Sequence, residues 1–298
     1  MKSPLISVVI PTYNREKEIT ATIQSVLSQT YINIEILVVD DASTDRTVET
    51  VKEITDERIK IIQLGKNSKG TKTRNVGIQN SAGKYIALLD SDDEWLPDKL
   101  EKQLAFANNI DDERFLCFTD VILQYKDKEV IKSNQPLSNK DIMDYILYEK
   151  NFVQTSTYFF PTDIGKEVLF DPELQKHQDW GFCLRLRQQN VKFFLLPEPL
   201  VKYDVKDVVG KISYNNKTEL TMEWGSKVKE LISEKAYHSF RVISLVTPLI
   251  LDGRKKEAFK IFFEATHKKA LKPKVFIQNF VKIILPKTLF IKILLKHR

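Results

Sequence analysis

The sequence predicts an α/β fold, a doubly wound and mostly parallel sheet followed by a C-terminal helical extension. In the first 90 residues, short apolar runs alternate with segments of helical spacing, which is typical of βα units. The runs are continuously apolar, as expected of strands that helices cover on both faces. From about residue 217 to the end, the spacing of apolar residues is helical throughout.

The elements of the first part follow from local patterns. Ile19, Ile23 and Val26 have helical spacing, and Ser43 or Thr44 is predicted to cap the helix after the second strand. The predicted strands are 5–11, 34–41, 59–64 and 85–90, and the predicted helices are 15–30, 43–55 and 71–81.

Beyond Pro97 the order of elements changes and the strands no longer alternate regularly with helices. Charged residues at 126–132 indicate the tip of a hairpin. The predicted helices here are 98–109, 138–149 and 179–190, and the predicted strands are 115–125 and 191–197.

Charge and cysteine usage restrict the class of protein. The formal net charge is +6, but nine basic residues and no acids follow Glu264, so the preceding residues are slightly acidic. A basic face for nucleic acid is therefore not expected. Cys117 and Cys183 have no metal-binding spacing, which indicates a reduced, cytoplasmic protein. The apolar run before Pro11 is too short for a signal peptide or a membrane span.

Four acids follow the strand at 85–90 within five positions: Asp90, Asp92, Asp93 and Glu94. Crowded carboxylates repel one another, so they need a reason to be there. Asp90 and Asp92 are two residues apart and point the same way in an extended segment. Together they suit a hard divalent cation that also binds phosphate. A solvated acidic loop before a helix is the alternative.

Polar residues stand at three predicted strand ends, at 11–14, 40–41 and 90–93. The carboxyl ends of strands in an open α/β sheet form its ligand-binding crevice. Neither GxGxxG after the first strand nor GxxxxGK[ST] anywhere is present. A phosphate-bearing ligand would therefore need its charge neutralised by something other than a Gly-rich loop.

Four motifs in this order resemble family 2 glycosyltransferases of the bacterial surface-polysaccharide type: "SVVIPTYNRE", "VLSQTYINIEILVVDDASTDRT", "RNVGIQNSAGKYIALLDSDDEWLPDKL" and "HQDWGFCLRL". The resemblance covers residues 5 to about 203. It implies the GT-A fold, with a catalytic domain at 1–215 and a helical region at 216–298. Within the catalytic domain it implies a nucleotide-binding half, 1–97, and an acceptor half, 98–215.

The resemblance also implies a nucleotide pocket at the first two strand ends. Pro11, Thr12 and Tyr13 would line it, with the Tyr13 ring beside the base. Asp41 would accept a hydrogen bond from the base, such as the N3–H of uracil, and Asp40 would support that loop. The alternatives are that Tyr13 packs at its strand end and that the two acids only face a helix dipole.

Further roles are implied at the third strand end and beyond it. Arg74 would hold the region near the nucleotide, Asp90 and Ser91 would face the ribose or the metal, and Asp92 would bind Mn²⁺ or Mg²⁺ directly. Asp179 would be the general base, with Trp180 and Phe182 desolvating it. The alternatives are that Arg74 is an ordinary surface residue and that Asp179 is only a helix N-cap. For His177, both a structural and a catalytic role stay open.

The chain departs from the commonest family pattern in two places. Gln178 precedes Asp179 where many members have Glu, which lowers the local charge. Residues 201–215 lack the His that some members carry on the acceptor side. Lys206 and Lys211 are the candidates to replace it.

The C-terminal tail is apolar and basic together. Two apolar faces are predicted, the first made by Phe276, Ile277, Phe280, Val281 and Ile284, opposite Gln278, Asn279 and Lys282, and the second by Leu289, Phe290, Ile293 and Leu294. Basic amphipathic helices of this kind favour peripheral contact with an anionic membrane. The alternatives are packing on the catalytic domain and a homodimer contact.

Together these features predict an inverting, metal-dependent hexosyl- or N-acetylhexosaminyltransferase. It would move a sugar from a nucleoside diphosphate, with UDP as the expected carrier, to a glycan or lipid-linked glycan. The pathway would build capsule, lipopolysaccharide or a related polymer at the inner face of the cytoplasmic membrane. The alternatives are a nucleotidyltransferase and a non-catalytic scaffold of a membrane complex.

Overall fold

The computed structural model describes residues 3–68, 71–138, 140–205 and 218–286. The chain divides into two compact units, one of residues 1–138 and 152–208, the other of residues 139–151 and 209–298. Residues 139–151, which the sequence analysis placed in the acceptor half, thus group with the C-terminal helices. The predicted boundary at 215 and 216 lies outside the described residues.

The first part of the first unit has the predicted alternation of strands and helices. Every residue of β1, β2 and β4 is buried and most are apolar, as expected of strands with both faces covered. The elements are β1 Ile6–Thr12, α1 Ile19–Leu27, β2 Ile34–Asp40, α2 Thr47–Lys52, β3 Ile59–Gln63, α3 Thr71–Asn80 and β4 Tyr85–Leu88.

The second part of this unit is less regular. Its elements are β5 Glu94–Trp95, α4 Lys99–Ala107, β6 Phe115–Gln124, β7 Glu129–Lys132, a 3₁₀ turn Thr155–Thr157, β8 Phe159–Pro161, α5 Thr162–Val168, α6 Gln178–Gln188 and β9 Lys192–Asp204. The predicted hairpin is present, since β7 pairs with the end of β6. β9 runs past its predicted end at 197 because it pairs with β6 to Gln124 and with β5 on its other side.

The described strands form one sheet in the order β3–β2–β1–β4–β8–β6–β9–β5, with β7 beside β6. β1 is parallel to β2 and β4, and β2 is parallel to β3. β8 is antiparallel to both β4 and β6, whereas β6 and β9 are parallel. The predicted α/β sheet is confirmed, with parallel strands in its first half and mixed strands in its second. The carboxyl ends of β1, β2 and β4 therefore lie at one edge.

Close packing of α3 on β1 depends on Gly77. A Cβ at this position would lie 2.2 Å from Val9 Cγ1 and 3.3 Å from Val39 Cγ2. No side chain fits there, because such distances are shorter than van der Waals contact. The glycine thus lets α3 lie directly on β1 and β2, which sets the position of Arg74 in the same helix.

The second unit is helical. It contains a five-residue π-helix, Asp144–Tyr148, and the helices α7 Thr218–Val228, α8 Glu234–Leu251, α9 Lys255–His267 and α10 Pro273–Ile284. Helical residues span 142–148, including the π-helix, rather than the predicted 138–149, and Lys150 after the helix has a left-handed backbone. In the part of the chain that the structure describes, no helix has the length and hydrophobicity needed to cross a bilayer.

Candidate active site

Strand pairing brings the loops after β1 and β2 together. Thr12 lies opposite Asp40 in the sheet, and the Asp41 N–H donates to the Thr12 carbonyl at 2.9 Å. The Asn14 N–H donates to Ser43 Oγ at 2.9 Å, and Asn14 Oδ1 accepts from the Thr44 N–H at 2.8 Å. The two loops are therefore one hydrogen-bonded unit at the edge of the sheet.

The two acids after β2 have different partners. The buried Asp40 accepts from the N–H and hydroxyl of Ser43, at 3.0 and 2.5 Å, and so closes its own loop. Asp41 reaches the other way, to the N–H and hydroxyl of Ser68, at 2.7 and 2.6 Å. The predicted cap by Ser43 or Thr44 was wrong, because these loop contacts use both residues and α2 begins only at Thr47.

Residues 11–13 form a wall at the carboxyl end of β1, beside Asp41. Pro11 is buried in the sheet, and Thr12 Oγ1 is buried without a hydrogen-bond partner among the described residues. An unsatisfied buried hydroxyl costs free energy unless a ligand or water completes it. The Tyr13 side chain is 42% exposed, so it does not pack at its strand end. This wall is suited to receive a ligand with a polar edge and a flat face.

Arg74 joins the third strand end to α6. Its Nη2 donates to Asp90 Oδ1 at 2.6 Å, and its Nη1 donates to Gln178 Oε1 at 2.8 Å. Its side chain is only 13% exposed, which rules out an ordinary surface residue. Burial lowers the pKa of Arg74, but the carboxylates of Asp90 and Asp179 raise it overall, so the guanidinium stays charged.

Asp90 is held on both oxygens. Besides Arg74, the Thr155 hydroxyl donates to Asp90 Oδ2 at 2.9 Å, and the Asp90 N–H donates to Ser156 Oγ at 2.9 Å. Ser91, next in the chain, is buried. The 3₁₀ turn, which precedes the neighbouring strand β8, thus fixes Asp90 in place.

The remaining two aspartates differ sharply. Asp93 is buried and accepts from Gln154 Nε2, Ser156 Oγ and the Asp204 N–H, at 2.8, 2.6 and 3.0 Å. Asp92 keeps 16% of its side chain exposed and faces Arg15 Nη2 at 3.7 Å. Repulsion within the acid cluster is offset by one cation at Asp90, another at Asp92 and neutral donors at Asp93.

Asp179 lies in the first turn of α6, whose preceding residue is His177, so it is not the helix N-cap. Burial raises the pKa of Asp179 to about 6, although the Trp180 N–H at 2.9 Å and the Arg74 guanidinium oppose this. Asp90 adds a smaller increase in the same direction. At neutral pH this carboxylate is ionised and much more basic than an exposed aspartate.

His177 supports this helix start. Its ring stacks on Trp180 with centroids 4.7 Å apart, and its backbone is left-handed, with φ +60°. Burial, with a contribution from Lys176, lowers the pKa of His177 to about 3. The ring is therefore neutral at physiological pH and is not a proton donor in that range.

Residues 7–164 match the family model described as Glycosyl transferase family 2. The chain belongs to this family. AmsB of Erwinia amylovora, an amylovoran biosynthesis glycosyltransferase, is 28% identical over 90% of this chain and 93% of its own. WfgD of Escherichia coli, a UDP-Glc:alpha-D-GlcNAc-diphosphoundecaprenol beta-1,3-glucosyltransferase, is 29% identical over 87% of this chain and 97% of its own. The chain is therefore a glycosyltransferase of the bacterial polysaccharide type.

The solved structures show the fold. Staphylococcus aureus TarS 1-349 in complex with UDP-GlcNAc matches with a TM-score of 0.65 at 20% sequence identity. The match covers 93% of this chain and 90% of that one. The predicted GT-A fold of this glycosyltransferase is thereby confirmed.

The acids after β4 are of the residue type that a divalent cation prefers as ligands. Within the described ranges, no three His, Cys, Asp or Glu side chains converge as a complete metal site. Asp92 retains exposed carboxylate surface, while both Asp90 oxygens already accept hydrogen bonds. One or two carboxylates completed by phosphate oxygens is a normal arrangement for Mg²⁺ and related ions.

Several site residues were not identified from the sequence. Arg15, Thr155 and Ser156 contact the acid cluster, and Tyr203 stands next to Asp204, which binds Asp93. Burial, then the charges of the surrounding aspartates, raises the pKa of Tyr203 far above its usual range, so its phenol stays protonated. Of these residues, only Arg15 lies within one of the sequence motifs, in its segment "PTYNRE". Lys206 and Lys211 lie outside the described residues.

Proposed function

We propose that the protein is an inverting, metal-dependent glycosyltransferase that uses a UDP-sugar. Its acceptor would be a lipid-linked glycan, in the synthesis of a surface polysaccharide such as capsule or lipopolysaccharide, at the inner face of the cytoplasmic membrane. The observation that carries the proposal is Asp179, a carboxylate with its pKa raised to about 6 beside the Asp90–Arg74 pair. The donor and acceptor classes named for WfgD and TarS support the substrate assignment.

The nucleotide is assigned to the loops after β1 and β2. Thr12 Oγ1 has no hydrogen-bond partner in the part of the chain that the structure describes, Tyr13 offers an exposed ring, and Asp41 holds a carboxylate fixed by Ser68. An aromatic ring suits stacking on a base. A carboxylate accepts from the N3–H of uracil, whereas cytosine has no hydrogen on N3. This chemistry favours UDP over CDP, and the UDP donors named for WfgD and TarS favour UDP over GDP.

The diphosphate is assigned to the third strand end. Divalent ions are general in this family, and such an ion would neutralise charge on the departing UDP. Asp92 would hold it, with Asp90 at its side. Arg74 is occupied by Asp90 and Gln178, so its part is to fix Asp90 rather than to bind phosphate.

Asp179 is assigned the proton transfer. Its carboxylate would take the proton from the acceptor hydroxyl as that oxygen attacks the anomeric carbon. The bond from that carbon to the UDP oxygen breaks as the new bond forms. Because attack and departure occur on opposite faces of the sugar, the configuration is inverted.

The proposal is tested by donor turnover and product stereochemistry. We expect the protein to hydrolyse or transfer a UDP-sugar in the presence of Mn²⁺ or Mg²⁺, and to act more weakly on GDP-sugars. NMR of the transfer product should show an inverted anomeric centre. A retained centre would contradict the single displacement. A non-catalytic scaffold would show no metal-dependent UDP binding in titration calorimetry, and a nucleotidyltransferase would release diphosphate from a nucleoside triphosphate.

Asp41→Ala is expected to weaken UDP binding by roughly tenfold to a hundredfold, the range for hydrogen bonds to charged groups. The matched ligand is N3-methyl-UDP, which lacks the donor. The original protein should prefer UDP over the methylated ligand, and the variant should bind both equally by calorimetry. If the variant keeps the preference, Asp41 does not read the base.

A further inference from the structure

One face of the second unit combines exposed aromatic and aliphatic side chains. On α10, Ile277, Phe280, Val281 and Ile284 are spaced as neighbours on one helix side and all are exposed, Ile277 by 60%. On α9, Phe259 and Phe263 lie one turn apart with ring centroids 6.3 Å apart, and Phe263 is 62% exposed. We call these six residues the apolar face.

The two parts of the apolar face are joined through Phe262. Its ring centroid lies 6.3 Å from that of Phe280 on α10, and on α9 it lies three positions after Phe259, so these two side chains are neighbours on the helix surface. Phe276 also contacts it, at 5.2 Å, and stacks on Phe280 at 5.9 Å. The apolar face is therefore continuous across both helices, and a surface of this kind marks an interaction site.

The opposite side of α10 belongs to the core of the unit. Val275, Asn279 and Ile283 are buried, and Asn279 Nδ2 donates to the Val275 carbonyl at 2.9 Å. The predicted apolar side of this helix is thus exposed, whereas Asn279, expected on the polar outer side, is buried. The rest of the predicted tail, from residue 287, lies outside the described residues.

Lysines border the apolar face, and the nearby acids are paired. Lys256 and Lys260 are exposed, lie three residues before Phe259 and Phe263 respectively, and make no ion pair with a described acid. The acids of α9, by contrast, are occupied. Glu257 pairs with Arg254 at 2.7 Å, and Glu264 pairs with Arg241 at 2.6 Å.

We propose that the apolar face docks on an anionic lipid bilayer, with its aromatic side chains in the interface and the bordering lysines at the headgroups. A second copy of the chain is disfavoured, because a twofold contact would bring together two lysine-bordered faces whose α9 acids are already paired and cannot offset the repulsion. Residues 287–298 contain four basic residues and no acid, so the same repulsion disfavours them as a cover. The inference deepens the proposed function, since a lipid-linked acceptor lies at such a surface.

The test uses the full chain and vesicles of phosphatidylcholine with and without phosphatidylglycerol. Phe263→Ser combined with Ile277→Gln should lower co-sedimentation with the anionic vesicles by roughly tenfold or more. Lys256→Gln combined with Lys260→Gln should lower it by about fivefold for each charge and flatten its salt dependence. Ile32→Gln, which alters an isolated residue 76% exposed in the first unit, should change nothing.

Three outcomes would overturn the inference: no binding of the full chain at low salt, equal binding by all variants, or conversion of a dimer to a monomer by the Phe263 and Ile277 changes in sedimentation velocity. Thermal midpoints should be unchanged, because all substituted side chains are exposed. Binding is measured without donor or acceptor, and donor hydrolysis without vesicles. Loss of docking and failure of the proposed function are thus distinguishable.

Discussion

Asp179→Asn is expected to lower sugar transfer by roughly 10²–10⁴-fold, the usual effect of losing a general base. The amide has nearly the same shape, and its oxygen can still accept from the Trp180 N–H. UDP affinity should therefore stay within a few fold by calorimetry. Glu173→Gln, six residues earlier in the chain and at an exposed position, should leave transfer unchanged.

The pH dependence of transfer provides a second measure of the same residue. Because burial raises the pKa of Asp179 to about 6, the base is protonated below that pH and ionised above it. Transfer should therefore fall as the pH drops through about 6, and the acid limb should be missing in the residual activity of the variant. Collapse of UDP binding, or an unchanged acid limb, would show that Asp179 is structural.

Asp92→Asn is expected to remove most activity and to weaken the apparent affinity for Mn²⁺ by at least roughly tenfold. One ionised oxygen ligand is lost while the shape is retained, and hard cations prefer carboxylate oxygens. The measurement is the Mn²⁺ dependence of donor hydrolysis. Unchanged turnover with unchanged Mn²⁺ dependence would contradict the assignment.

The adjacent Asp93 provides the contrast. Asp93→Asn keeps one acceptor oxygen for three donors and places an amide N–H₂ against Gln154 or Asp204, so it should destabilise the fold by about 2 kcal/mol. Its thermal midpoint should fall, whereas that of Asp92→Asn should not. Asp111→Asn, on the surface, should alter neither the thermal midpoint nor the Mn²⁺ dependence of donor hydrolysis.

The family and the fold class could be predicted from the sequence because both depend on local and ordered signals. Strand ends at 11–14, 40–41 and 90–93 lie close in the chain to the apolar runs that precede them. Parallel pairing of β1, β2 and β4 then brings those ends to one edge without any further information. The strands at 115–125 and 191–197 were also found, but not the antiparallel β8 between β4 and β6.

The different roles of the aspartates in the acid cluster could not be predicted from the sequence. Asp92 and Asp93 are neighbours of the same type, and their difference comes from partners far along the chain. Gln154 is 61 positions from Asp93, and Asp204 is 111 positions away. Arg74 and Gln178, 104 positions apart, position Asp90 beside Asp179 in the same way.

The sequence by itself determined the α/β fold, the family and the amphipathic character of α10, because continuous apolar runs, helical spacing of 3.6 residues and ordered motifs are properties of the chain. The tertiary structure alone decided three matters: which aspartate is buried and which is accessible, how far burial raises the pKa of Asp179, and which side of α10 faces the core. Each depends on desolvation and hydrogen bonding by elements distant in sequence. Helical spacing separates two sides of a helix, but only the packing of Val275 and Ile283 shows which side is inside.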